Sequence, residues 1–248
     1  MKKYIVFVTL FISIFAYSQT INIHTTDGSV DNYNLSEIDN ITFTITSSEL
    51  TVTDIDGNVY STVTIGTQVW LAENLKVTHY RNGEPIPKVT DNTEWSNLIT
   101  GAYCNYDNDA NNADTYGSLY NWYAVNDSRN IAPTGWHVPT DEEWQTLVDY
   151  LGGDDIAGGK MKETGTTHWN SPNEGATNES GFSALPGGYR YGNGNYYSMG
   201  GNASFWSSTE YDSDSNYAWA RYLFVNFPGI LDNGSGKRYG FSVRCVRD

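Results

Sequence analysis

The strongest periodic pattern in the 248-residue chain runs from Thr140 to Gly153. Trp144, Leu147, Val148 and Leu151 fall at i, i+3, i+4 and i+7, which places four apolar side chains on one face of a helix. Thr140 occupies the N-cap position, and Glu143, three residues on, can reach back to the cap's own N–H. Asp141, Glu142 and Glu143 put negative charge in the first turn, where the helix dipole favours it. Gly152 supplies a left-handed residue to end the helix. The pattern predicts a helix over 141–151. Weaker periodicity predicts a second helix over 113–125, with Tyr116, Leu119, Tyr120 and Tyr123 on one face. A short helix is expected within 91–99, with Trp95 and Leu98 inward, and another over 156–163, weakened by Gly158 and Gly159.

Elsewhere the alternation has a period of two. Residues 51–53 and 59–65 flank Asp56-Gly57 and read as an opening hairpin, and 69–77 as a further strand. Residues 187–197 form an aromatic hairpin pattern around Asn193-Gly194. Strands are expected over 203–207, 218–225 and 241–246. Upstream, 21–24 and 41–45 alternate, with Asp27-Gly28 as a turn and 35–38 as one helical turn. A unit of that size cannot hold a core by itself. It reads as a small β unit or spacer over 19–50, preceding a main domain over 51–248. Helices followed by an antiparallel region with long loops predict an α+β architecture.

The first 18 residues match a secretory leader: Lys2 and Lys3, an apolar run from Tyr4 to Phe15, then Ala16-Tyr17-Ser18 as a small-x-small cleavage site. That run is too short for a membrane span, and no cysteine follows it to anchor a lipoprotein. A secreted or cell-surface location is expected, with no membrane insertion after cleavage. The net charge of −15 argues against nucleic acid as a partner. Charged residues are only 17% of the chain while aromatics reach 15%, with 19 Tyr and 8 Trp, as befits a loop-rich extracellular module.

Six blocks in order along the chain carry a family resemblance besides Gly135-Trp136-His137-Val138-Pro139-Thr140: residues 68–76, 116–125, 175–182, 184–190, 205–209 and 240–247. Together they resemble the Fibrobacter succinogenes major paralogous domain. That domain is similar to the formylglycine-generating (sulfatase-modifying) variant of the C-type lectin-like fold. The resemblance implies two main helices, short antiparallel strands and long ordered loops. It carries no oxidase activity across, because the closely placed cysteine pair of those enzymes is missing here. Cys104 and Cys245 are the two cysteines of an exported chain, where pairing is the ordinary outcome. A bridge would close a loop of about 140 residues and contribute roughly 4–5 kcal/mol. The family often has a cysteine ahead of its Pro-x-Gly-Trp motif, where this chain has Ala132, so the state of both thiols stays open.

Candidate chemistry is sparse. Asp107, Asp109 and Asn111, with Asp114, put oxygen ligands at the spacing of the first half of a calcium loop. Asn112 stands where such a loop has Gly and Ser118 where it has a bidentate Glu, and a polar turn capping a helix explains the run equally well. Trp169-Asn170-Ser171-Pro172-Asn173 resembles a lectin calcium-and-sugar motif, with Ser171 in place of its glutamate. Glu142 and Glu143 are helix-start residues rather than a glycosidase pair, since neighbours on a helix point about 100° apart. The four histidines show no zinc spacing. Trp169, Tyr189, Arg190, Tyr191, Asn193, Tyr196 and Tyr197 concentrate aromatic and polar groups in the loop-rich half, the composition of a binding face. A non-catalytic module recognising polysaccharide or a surface protein through that face is expected, with calcium as an optional ligand. An extracellular enzyme on a lectin-like scaffold and a structural surface protein are the alternatives.

Overall fold

A computed structural model describes residues 51–248 in full and, upstream, the backbone of 20–24 and 30–34. The leader, the Asp27-Gly28 turn, the expected helical turn at 35–38 and the expected strand at 41–45 lie outside the described residues. The chain divides into two compact units, Met1–Ser47 and Ser48–Asp248. In the first, β1 (Thr20–His24) pairs antiparallel with β2 (Val30–Asn34).

The second unit is mixed α/β, with few helices and two curled five-stranded sheets. One sheet has the order β3-β4-β5-β14-β8, built from β3 (Thr51–Thr53), β4 (Val59–Ile65), β5 (Gln68–Leu71), β8 (Trp136–His137) and β14 (Val246–Arg247). The other runs β10-β9-β11-β12-β13, from β9 (Gly187–Arg190), β10 (Tyr196–Met199), β11 (Asn202–Glu210), β12 (Tyr217–Phe224) and β13 (Leu231–Gly236). Its pairs are antiparallel except β9 with β11. A two-stranded ladder joins β6 (Tyr103–Cys104) to β7 (Leu119–Tyr120). The expected hairpins at 51–65 and 187–197 both form, the second extending to Met199.

The helix α4 (Asp141–Tyr150) has the anticipated start: Thr140 Oγ1 accepts from Glu143 N–H, and the Glu143 carboxylate accepts from Thr140 N–H. Trp144, Leu147, Val148 and Leu151 are all buried. Trp144 packs its ring 4.8 Å from that of Trp70 on β5 and 5.6 Å from Phe205 on β11, so α4 seals both sheets into one core.

Three expectations are corrected. The strand expected over 69–77 is regular only over Gln68–Leu71. The helix expected over 113–125 is broken into α2 (Ala110–Tyr116), β7 and α3 (Trp122–Val125). Gly117 lies at φ +75°, and a Cβ there would stand 2.6 Å from Asn74 Cβ, so the chain must turn where it meets the 74–75 segment. Asn121 then caps α3 through Ala124 N–H. The expected strand over 241–246 is regular only at β14. Its backbone instead divides its hydrogen bonds among Tyr120, Ser204, Trp206, Leu71 and Leu75, and stitches the sheets together. The short helix α5 (Ala157–Met161) does form, and Gly158 is required there because a Cβ would lie 1.8 Å from Gly229 O. The remaining helix, α1 (Asn92–Ser96), buries Trp95 as expected.

Lys162, Arg190, Arg221 and Arg244 are buried to within 1% of full. Arg221 faces Asp141 at 2.7 Å. The other three donate mainly to main-chain carbonyls of long loops, an arrangement that satisfies backbone acceptors lacking a ladder partner. Charge thus does in the loop-rich half what strands do elsewhere.

Candidate functional site

The β9–β10 hairpin has one face turned inward and one outward, as the two-residue period of a strand dictates. Arg190 and Tyr196 face each other across the ladder on the inward side. The Arg190 guanidinium lies 4.3 Å from the Trp95 ring and 4.9 Å from the Tyr196 ring, and donates to Gly194 O, Val89 O, Thr90 O and Asn92 Oδ1. Tyr196 Oη reaches Asn108 Oδ1 at 2.8 Å. This clamp fixes the hairpin to the 89–92 and 106–108 segments. Asn193 shapes the turn by accepting Asn195 N–H.

The outward side carries Tyr189 and Tyr197, 5.8 Å apart, and leads to Tyr191 at the turn. Tyr189 is half-buried against Phe241. Tyr191 and Tyr197 are 41% and 42% exposed. Tyr191 meets Tyr239 at 4.5 Å between ring centroids. Burial and the Tyr191 hydroxyl hold the Tyr239 phenol well above its ordinary pKa, so the Tyr239 hydroxyl stays protonated as donor and acceptor. Tyr217, at the head of β12, is 41% exposed. Tyr217, Tyr239, Tyr123, Asp214, Lys237 and Arg238 line an open cleft of about 400 Å³. Lys237 is held over the Trp122 ring and paired with Glu210, and Asp214 accepts from Asn216, so both walls are set before any ligand arrives.

Tyr191 and Tyr197 therefore stand at this aromatic surface, with Tyr189 beneath it. Trp169 does not: it is buried, donates Nε1–H to Ala184 O and lies under Lys162. Arg190, Asn193 and Tyr196 hold the hairpin rather than face the cleft. Tyr123, Tyr217, Tyr239 and Arg238 were missed from sequence. Their only local signal was Tyr217 opening an alternating strand.

The acidic run spans a tight turn and the start of α2. Asp107 lies at φ +52°, Asp109 caps α2 by accepting Asn111 N–H, and Asp114 is exposed along that helix. Among the described residues no group of three or more His, Cys, Asp or Glu side chains is placed to hold a metal ion. Cys104 and Cys245 are buried and unbridged, in separate core clusters, and burial pushes both thiols up in pKa. His137 is half-buried between two carboxylates, with Nδ1 2.7 Å from Asp248 and Nε2 2.8 Å from Glu143. Burial opposes charge on the ring, but the hydrogen bonds to Asp248 and Glu143 prevail and raise its pKa. Both nitrogens are occupied, so His137 acts as a brace between α4 and the chain's end.

No curated protein and no solved structure matches the chain significantly. The model of the Fibrobacter succinogenes major domain matches residues 63–247, which take in the β9–β13 sheet, the other sheet apart from β3 and the start of β4, α4 and the tyrosine-lined cleft, and the chain belongs to that family.

Proposed function

We propose that this protein is a secreted, non-catalytic module on a lectin-like variant of the mixed α/β fold, and that it binds polysaccharide at the tyrosine cleft. The observation that carries the reading is one preformed, open cleft lined by Tyr123, Tyr217 and Tyr239, which the exposed Tyr191 and Tyr197 adjoin through the Tyr191–Tyr239 and Tyr191–Tyr197 ring contacts. Flat phenol faces stack on the apolar faces of sugar rings, while hydroxyls at their edges, with Arg238 and Asn216, meet ring hydroxyls. Side chains already fixed by packing lose little entropy on binding. The leader pattern at 1–18 supports export, and the chain's acidity favours neutral glycans over anionic ones.

The test is a glycan array probed with the purified protein, with and without calcium. Binding is expected, and Tyr239→Ala or Tyr217→Ala should weaken it by roughly 2 kcal/mol, the loss of a central aromatic anchor. Calcium dependence would bring the 107–114 run into the site; its absence would leave the tyrosines acting alone. A blank array, or binding indifferent to both substitutions, overturns the assignment and favours a protein partner.

A further inference from the structure

The register of the β9–β13 sheet brings one row of side chains to a single face. Tyr197 on β10 stands opposite Tyr189 on β9. Gly188 pairs with Ala203, which puts Tyr189 beside Ser204 on β11. Ser204 is opposite Tyr222 on β12, and Tyr222 is opposite Leu231 on β13. Paired residues share a face, so the row Tyr197, Tyr189, Ser204, Tyr222, Leu231 crosses all five strands. Its ends are open, with Tyr197 42% and Leu231 48% exposed. Tyr189 and Tyr222 are half-buried, and Ser204, the small residue between them, is covered. Both tyrosines meet Phe241 edge-on, at 6.0 and 5.7 Å between ring centroids, and so are held from beneath.

Two further rings join this row to the tyrosine cleft. Tyr191 meets Tyr197 at 6.2 Å and Tyr239 at 4.5 Å. Tyr239, a wall of the cleft, also packs on Phe241, at 5.8 Å. The aromatic surface is therefore continuous from the cleft across to β12. From β10 to β12 it covers three strand spacings, roughly 14 Å at about 4.8 Å each, which is longer than one sugar ring. The row carries no charged side chain, and its polar groups are hydroxyls. Burial raises the Tyr189 phenol and pushes that of Tyr222 up to about 12, so both stay neutral. The Tyr222 hydroxyl is fixed by a hydrogen bond with Ser235 Oγ.

We infer that the cleft is one part of a longer site, and that its ligand is a linear, uncharged polysaccharide held along several consecutive sugar rings by the cleft and the tyrosine row together. This inference rests on the tyrosine-cleft reading and adds to it that chain length is recognised. A single sugar fills only the cleft, whereas each further ring laid over the row gains an apolar face already fixed by packing. An acidic substituent over the row would lose its hydration and meet no cation there, on a chain of net charge −15. A flat row of rings also suits an unbranched chain, since a branch would lift its neighbours off the surface.

The experiment is calorimetry of the purified protein with cello-, xylo-, manno- and malto-oligosaccharides, each series running from the disaccharide to the hexasaccharide. One series should bind with an affinity that climbs about tenfold or more with length. The deciding variant is Tyr197→Ala, whose side chain is exposed, so its melting temperature should match that of the native protein. It should remove most of the gain with length, whereas Tyr217→Ala in the cleft should weaken short and long chains alike. An affinity that is flat with length, or a gain that survives Tyr197→Ala, overturns the longer site and leaves the cleft reading standing. Four blank series beside an array positive for charged or branched glycans do the same. A blank array sinks both.

Discussion

Lys162 supports a prediction in which two opposing effects can be weighed. It stands at the end of α5 with no exposed surface. Its ammonium donates to Glu174 O at 2.7 Å, Phe224 O at 2.9 Å and Phe227 O at 3.0 Å, tying together two loops that lack a ladder of their own. Burial lowers its pKa from 10.5 to about 8, against a weaker upward pull from Glu174. Keeping the charge inside therefore costs roughly 3 kcal/mol at about 1.4 kcal/mol per tenfold. Replacing it with methionine relieves that cost but strands three carbonyls, each worth about 1–3 kcal/mol when left without a partner. The stranded acceptors outweigh the relieved charge, and Lys162→Met should destabilise by about 3 kcal/mol near pH 7, within the range for breaking a buried charged network.

Urea unfolding read by tryptophan fluorescence measures this directly, and pH supplies an internal check. The unfolded chain binds the lysine proton more tightly than the folded chain between pH 8 and 10.5, so this group's contribution to stability rises with pH across that window. The gap between the native protein and Lys162→Met should widen as pH is raised from 8 towards 10. A methionine variant as stable as the native protein, or a gap that is flat or narrowing over that range, would refute the reasoning.

Trp144→Ala should cost about 3–5 kcal/mol in the same urea assay, because it empties a fully buried site between Trp70, Phe182 and Phe205 and strands Trp206 O; a loss under about 1 kcal/mol would mean the site collapses around the gap. The His137 brace should act in the opposite pH direction to Lys162. Its folded pKa is raised, so its stabilisation is complete below about pH 6.5 and is lost as pH rises through the folded value. The melting-temperature difference between the native protein and His137→Gln should shrink between pH 6 and pH 8, and a constant difference would remove the charged brace.

What the sequence determined by itself was local. The α4 start, its apolar stripe, the Asp56-Gly57 hairpin and the Asn193-Gly194 hairpin depend on residues within a few positions of one another, so cap chemistry, periodicity and turn preference suffice to read them. The family blocks likewise lie open in the linear order. What failed was each reading in which a distant segment decides. Residues 113–125 keep a helical stripe, yet Gly117 meets Asn74, over forty residues away, and the helix breaks. Arg190 and Trp169 have the composition of a binding face, but tertiary contacts draw both into the interior, where backbone carbonyls need donors. The tyrosine cleft gathers Tyr123, Tyr217 and Tyr239, with Tyr191 packed on Tyr239 at its edge. Periodicity reports which way a side chain points from its own element. Only the packing of sheets and long loops decides which elements face each other, and the candidate site arises there.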